Sequence, residues 1–183
     1  MSAQNQPNLE QVDWSKIPAP YDDGGARHLT GKTLPDIALP ATDGTQVSLA
    51  KLPGRTVLFI YPRTGLPGQI GLVDNWDQIA GARGCTPQSC AFRDLHAELR
   101  VAGARRVLGL STQDTAYQKE AATRLHLPFA ILSDEGLALS RALDLPVMSV
   151  AGLTLLKRMA WVIDDGRIRF SRPTGMQPMS WPG

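Results

Sequence analysis

The chain has 183 residues, 43% hydrophobic and 20% charged, which suits one globular domain with a substantial core. Its 19 Lys and Arg are scattered and nearly balanced by 17 Asp and Glu, so the net charge of +2 offers no track for a nucleic-acid backbone. No apolar run approaches the length of a membrane span.

Residues 1–29 have few regularly spaced apolar positions and read as an irregular arm pinned by Trp14, Ile17 and Tyr21. Its polar start lacks the apolar segment of a secretory signal, so a cytoplasmic location is expected. The main domain is expected over 30–170. Residues 34–40 read as a strand, Asp43-Gly44 as a hairpin turn and 46–49 as the returning strand. Pro53-Gly54 is a further turn. The run 57–61, Val-Leu-Phe-Ile-Tyr, is β-branched and aromatic, as a central strand buried on both faces would be. Pro62 ends it.

Residues 63–84 form a long Gly- and Pro-containing stretch around Trp76, and loops of that length are usually functional. A helix is predicted with Thr86 as N-cap and Pro87 as first helical residue. Phe92, Leu95 and Leu99 recur along one face of it, and Gly103 closes it. A buried strand at 106–110, a helix at 111–125, a short apolar segment at 129–132 and a short helix at 137–143 follow. Strands at 153–156 and 159–163 lead through the Asp165-Gly166 turn into 167–170. Residues 171–183 contain Pro173, Gly175, Pro178 and Pro182 and are expected to be an irregular tail. The order predicts an α/β fold with a central mixed β-sheet flanked by helices.

Cys85 and Cys90 are the two cysteines, six positions from first to last. A bridge closing so small a loop stabilises little, so a structural role in a disulfide framework is a poor fit. Cys85 precedes the expected helix start. Unpaired backbone N–H groups and the positive end of the helix dipole there favour thiolate, the reactive species. Cys90 lies five residues on. At ~100° and ~1.5 Å per residue the two side chains diverge around the helix with an axial rise of ~7.5 Å. A disulfide needs convergent Cβ vectors and Cα atoms within about 7 Å, so the first turns must unwind before the two could bridge. The bland alternative is that both are small buried hydrophobes. A zinc site would need more ligands than His28, His96 and His126 supply at suitable spacing, and no metal or other cofactor is expected. The four intervening residues also depart from the Cys-x-x-Cys of thioredoxins.

Gly84-Cys85-Thr86-Pro87-Gln88-Ser89-Cys90-Ala91-Phe92-Arg93-Asp94 resembles the Gly-Cys-Thr-x-x-x-Cys-x-Phe-Arg-Asp segment of peroxiredoxins of the bacterioferritin-comigratory or Q-type branch. The resemblance runs from about 31 to 170. It includes Phe59-Ile60-Tyr61-Pro62, Val107-Leu108-Gly109-Leu110-Ser111, Leu127-Pro128-Phe129 and Arg158-Met159-Ala160-Trp161-Val162-Ile163-Asp164. It implies a thioredoxin-like fold with an N-terminal hairpin. It further implies a thiol peroxidase with Cys85 as peroxidatic cysteine, Cys90 as resolving cysteine and Arg158 beside the Cys85 sulfur. The implied partners are a peroxide and thioredoxin or a similar dithiol reductant, for a monomer or homodimer without nucleic-acid or membrane partners. Readings that keep the two cysteines but not peroxidase turnover are a redox sensor and a thiol–disulfide exchange module.

The chain departs from the family's Pro-x-x-x-Thr-x-x-Cys at one place. Pro62 and Cys85 are far apart, so 69–84 reads as an insertion before the peroxidatic cysteine. Aligned from Pro62, Leu66 stands where the Thr belongs; counted back from Cys85, it is Ala82. Thr64 is the nearest hydroxyl, and Pro62 and Thr64 are the candidate substrate-positioning residues. The insertion carries Asp74, Trp76, Asp77 and Arg83 and reads either as a lid that shapes the substrate pocket or the reductant docking surface, or as a surface loop anchored by a buried Trp76.

Overall fold

A computed structural model describes residues 15, 18, 22–69 and 71–173. In chain order the elements are β1 (Ala38–Pro40), β2 (Gln46–Ser48), β3 (Arg55–Ile60), α1 (Cys85–Asp94), α2 (His96–Val101), β4 (Arg106–Ser111) and α3 (Thr115–Arg124). They continue with β5 (Ile131–Ser133), α4 (Ala138–Leu143), β6 (Val147–Val150), β7 (Leu153–Leu156), β8 (Met159–Asp164) and β9 (Arg167–Pro173).

The central sheet has the order β5-β4-β3-β8-β9. β3, β4 and β5 run parallel, and β8 lies antiparallel between β3 and β9. It is the mixed sheet of the thioredoxin fold. β3 earns its central place by sequence: Thr56 to Ile60 are all buried, so both faces of the strand meet core. Leu58 and Ile60 point with Leu110, Trp161 and Leu139 of α4 into one layer. Val57, Phe59 and Tyr61 point into the other, with Phe92 of α1, Leu99 of α2 and Cys85. Phe59 stacks on Phe92 with ring centroids 4.5 Å apart.

β1 and β2 form the N-terminal hairpin. Asp43 accepts from the Thr45 N–H and hydroxyl, and Gly44 takes φ 87°, which closes the turn. The strand expected over 34–40 is shorter. Leu34 N–H donates to Gly166 O and Thr33 bridges Arg167, so this segment pairs with the β8–β9 turn instead of the hairpin. The arm is not wholly detached, since Ala26 and Leu29 join the core. Trp14, Ile17 and Tyr21 lie outside the described residues, as does 174–183.

Two corrections concern helices. The helix expected through Gly103 breaks at Leu95 into α1 and α2. Leu95 is turned partly to solvent while Phe92 and Leu99 stay buried, so the expected single apolar face is realised in two pieces. The helix expected from Ser111 starts at Thr115, because Ser111 still belongs to β4 and Asp114 caps the helix by accepting from Tyr117 N–H at 2.8 Å. β6 was not anticipated. It pairs with β7 in a separate two-stranded sheet, and its partly exposed residues gave no clear alternation. Among the described residues no helix is long and apolar enough to cross a membrane.

Candidate active site

Ile60 at the end of β3 pairs with Met159 at the start of β8. The chain leaving β3 at Tyr61 and Pro62 therefore runs beside Arg158, and α1 begins at the same edge of the sheet. Ligand sites in open α/β sheets gather at such carboxyl ends of parallel strands.

Cys85 is the first residue of α1, two positions earlier than the sequence reading set the helix. Gly84 occupies the cap at φ 100°, a conformation that favours glycine, and Gln88 N–H closes the first helical bond to Gly84 O at 3.0 Å. Thr86 lies inside the first turn of the helix and is not its cap. Pro87 falls within the first turn, where its missing N–H would have had no intrahelical acceptor.

Arg158 is buried, 4% exposed, and organises this turn. Its Nη2 donates to Cys85 Sγ at 3.2 Å, to Arg83 O at 2.9 Å and to Gly81 O at 3.1 Å. Its Nη1 donates to Gly84 O at 3.3 Å and to the side-chain oxygen of Gln88. The carbonyl and amide acceptors are neutral, so the Cys85 sulfur is the one acceptor of this set that could carry a counter-charge to the buried cation. The Cys85 thiol donates to Ala82 O at 3.4 Å.

The sulfur adjoins a cavity of about 210 Å³. One wall is the 69–84 segment, through Gly71, Asp74, Trp76, Asp77 and Arg83; Arg63, Gly65, Thr86 and Pro87 line the rest. The segment is anchored. Trp76 is 6% exposed and packs with Ala82, Val150 of β6 and Leu155 of β7. Arg83 pairs with Asp77 at 2.6 Å. Trp76 is the buried anchor of the insertion, and residues of the anchored loop line the cavity beside Cys85.

Thr64 is drawn elsewhere. Its N–H and hydroxyl donate to Gln113 Oε1 at 2.9 and 3.1 Å, and its carbonyl accepts from Gln113 Nε2 at 3.2 Å. It does not line the Cys85 cavity, although its neighbours Arg63 and Gly65 do. Pro62 is buried at the start of this loop. Ala82, the other position for the absent hydroxyl, is buried and contributes only its carbonyl. Cys90 is buried in α1 and is not joined to Cys85 by a disulfide. Tyr61 shares the Cys85 cluster, and its hydroxyl is buried. Burial pushes its ionisation well above the ordinary tyrosine range, with Ser111 offsetting only part of this.

Sequence reasoning missed Gln88, Arg63 and the packing of 69–84 on β6 and β7. Gln88 had a local signal, since three residues from Cys85 puts it on the same side of a helix. The others depend on the tertiary path of the loop. Among the described residues no group of three or more His, Cys, Asp or Glu side chains could hold a metal ion.

Comparison with known proteins agrees with this geometry. Residues 29–178 match the family model described as redoxin. The chain is 35% identical over 150 residues to peroxiredoxin Q, chloroplastic, of Oryza sativa subsp. japonica, covering 81% of this chain and 60% of the relative. It thus spans well under the full length of that relative. The crystal structure of peroxidoxin BcpB from Mycobacterium tuberculosis is 27% identical with a TM-score of 0.61, covering 79% of this chain and 84% of that one. Peroxiredoxin Q of Xanthomonas campestris, 24% identical over 76% of this chain and 83% of its own, shares the fold with a TM-score of 0.58. The chain belongs to the redoxin family, in its peroxiredoxin Q and bacterioferritin-comigratory branch.

Proposed function

We propose that this protein is a thiol peroxidase in which Cys85 is peroxidatic, Cys90 resolving and Arg158 the stabiliser of thiolate and peroxide. The observation that carries the reading is Arg158 Nη2 at 3.2 Å from Cys85 Sγ, at a helix N-terminus beside a cavity. The Cys85 thiolate attacks the terminal oxygen of hydrogen peroxide or an organic hydroperoxide. An S–O bond forms, the O–O bond breaks, and the leaving oxygen takes a proton and departs as water or alcohol. Arg158 donates to charge developing on the oxygens and, with the first N–H groups of α1, takes the place of a hydroxyl at position 82. Pro62 and Thr64 act as positioning residues: Thr64, held by Gln113, fixes the loop that carries Arg63 and Gly65 to the cavity wall.

The first turn of α1 then opens and the Cys90 thiolate attacks the sulfenic sulfur. The S–S bond forms, the S–O bond breaks and hydroxide leaves. A thioredoxin-type dithiol reduces the disulfide by exchange and becomes a disulfide itself. We take residues 30–170, with β9 continuing to Pro173, as the catalytic domain, with arm and tail outside it. We assign a monomer or homodimer in a reducing, cytoplasmic setting. The plant relatives carry "chloroplastic" in their names, and two thiols five residues apart suit any compartment with a dithiol reductant.

Stopped-flow mixing with hydrogen peroxide tests the assignment. Wild type is expected to lose its thiols rapidly and Cys85→Ser to lose the reaction altogether. Full peroxidase activity in Cys85→Ser would refute it.

A further inference from the structure

We propose that Gln88 is a latch that holds the first turn of α1 closed over Cys85 and thereby sets how fast Cys90 reaches the oxidised sulfur. The inference rests on the peroxidase reading above.

Gln88 lies between the two cysteines, in the stretch of helix that must open. Three of the bonds among the described residues bear on that opening. One is the helical bond from Gln88 N–H to Gly84 O at 3.0 Å, which any residue here would make. Another is local, from the Ser89 hydroxyl to Cys85 O at 3.0 Å. The third ties the turn to another element: Arg158, just ahead of β8, donates through Nη1 to Gly84 O and to the side-chain oxygen of Gln88. The Gln88 bond is charge-assisted, half-buried and made by a side chain inside the turn itself.

The two roles of this bond oppose each other. While it holds, Nη1 is occupied by Gln88 and Gly84, and Nη2 is left facing Cys85. That orientation serves the attack on peroxide. The same bond must break before the turn unwinds, since an intact helix keeps the cysteines ~7.5 Å apart along its axis and on diverging faces. Gln88 is neutral, so it holds the guanidinium without cancelling the charge offered to the thiolate. A carboxylate at this position would tie the turn more tightly and take that charge for itself.

The test compares wild type, Gln88→Ala and Gln88→Glu, reduced and full length. Stopped-flow tryptophan fluorescence follows sulfenic acid formation and then disulfide formation with hydrogen peroxide. Mass spectrometry reads the fraction of Cys85 driven to sulfinic acid by a second equivalent. In Gln88→Ala the peroxide step is expected to slow a few-fold while disulfide formation speeds up about ten-fold, and the sulfinic fraction to fall. In Gln88→Glu disulfide formation is expected to slow by a similar factor and the sulfinic fraction to rise. Opposite movement of the two steps is the signature, because a merely structural defect would not accelerate resolution. A Gln88→Ala protein in which both steps slow, or in which disulfide formation stays within two-fold of wild type, would overturn the latch alone. A wild type that consumes peroxide without forming the disulfide would overturn the latch and the proposed resolving step together. Gln88→Glu, being isosteric, decides the matter if Gln88→Ala fails to fold.

Discussion

Arg158 Nη2 stands 3.2 Å from Cys85 Sγ, and the same guanidinium also binds the carbonyls of Gly81, Arg83 and Gly84 that lead into that cysteine. One buried cation therefore both faces the Cys85 sulfur and fixes the backbone leading into it. Arg158→Met is expected to slow the peroxide step by about 10²-fold to 10³-fold, the range for losing a preorganised charged donor. Arg158→Lys is expected to recover little of this, since a single ammonium cannot reproduce the planar fork that reaches Gly81, Arg83, Gly84, Gln88 and sulfur together. Second-order rate constants with hydrogen peroxide check both.

Gly84 caps α1 at φ 100°, where a Cβ is strained. Gly84→Ala is expected to cost about 1–2 kcal/mol of stability and to displace Cys85 from Arg158. Denaturant unfolding measures the first effect and the peroxide rate the second.

Trp76 is the anchor of the cavity wall, packed with Ala82, Val150 and Leu155. Trp76→Ala is expected to cost about 3–5 kcal/mol and to widen the range of hydroperoxides accepted. Gly71→Val is expected to loosen the same wall, because a Cβ at Gly71 would fall inside van der Waals contact of the Trp76 side chain. Relative rates with hydrogen peroxide, a tertiary alkyl hydroperoxide and a fatty-acid hydroperoxide report the change.

Thr64→Val removes a buried hydroxyl bonded to Gln113 and is expected to cost about 1 kcal/mol. Its peroxide rate is expected to fall far less than that of Arg158→Met, because the hydroxyl points to Gln113 and not into the Cys85 cavity. Parallel unfolding and rate measurements on the two variants separate the roles.

Acid should destabilise the fold through its paired carboxylates. Hydrogen bonds from Arg55 to both oxygens of Asp164, at 2.9 and 3.0 Å, hold that carboxyl below its usual 3.8. Lys157 acts likewise on Asp23, and Lys51 on Asp36. A carboxyl whose folded-state value is depressed contributes stability above its unfolded value and loses it as pH falls through the folded one. The unfolding midpoint is therefore expected to drop below pH 3.8, and Asp164→Asn to flatten that slope. Thermal unfolding across an acid series checks this.

The sheet was legible because its strands announce themselves. Val57 to Tyr61 is an unbroken β-branched and aromatic run, and β3 sits at the centre. The place of Cys85 at a helix start was legible, though Thr86-Pro87 misplaced that start by ignoring Gly84, whose φ of 100° makes it the cap. Arg158 was legible only through family resemblance. Its nearness to Cys85 comes from the pairing of Ile60 with Met159, a long-range register that local sequence does not encode. The same holds for Thr64, whose hydroxyl went to Gln113 at the end of β4, and for the loop from Gly71 to Arg83, whose wall depends on Trp76 docking against β6 and β7.

The pairing of Cys85 with Cys90 is tested most directly by the mass of the reduced protein after one equivalent of hydrogen peroxide, with and without alkylation of its thiols. The expected product has lost two hydrogen atoms, takes no alkyl groups, and yields a peptide linking Cys85 to Cys90. A protein that still takes two alkyl groups, or that carries an added oxygen on Cys85 while Cys90 remains alkylatable, would contradict it.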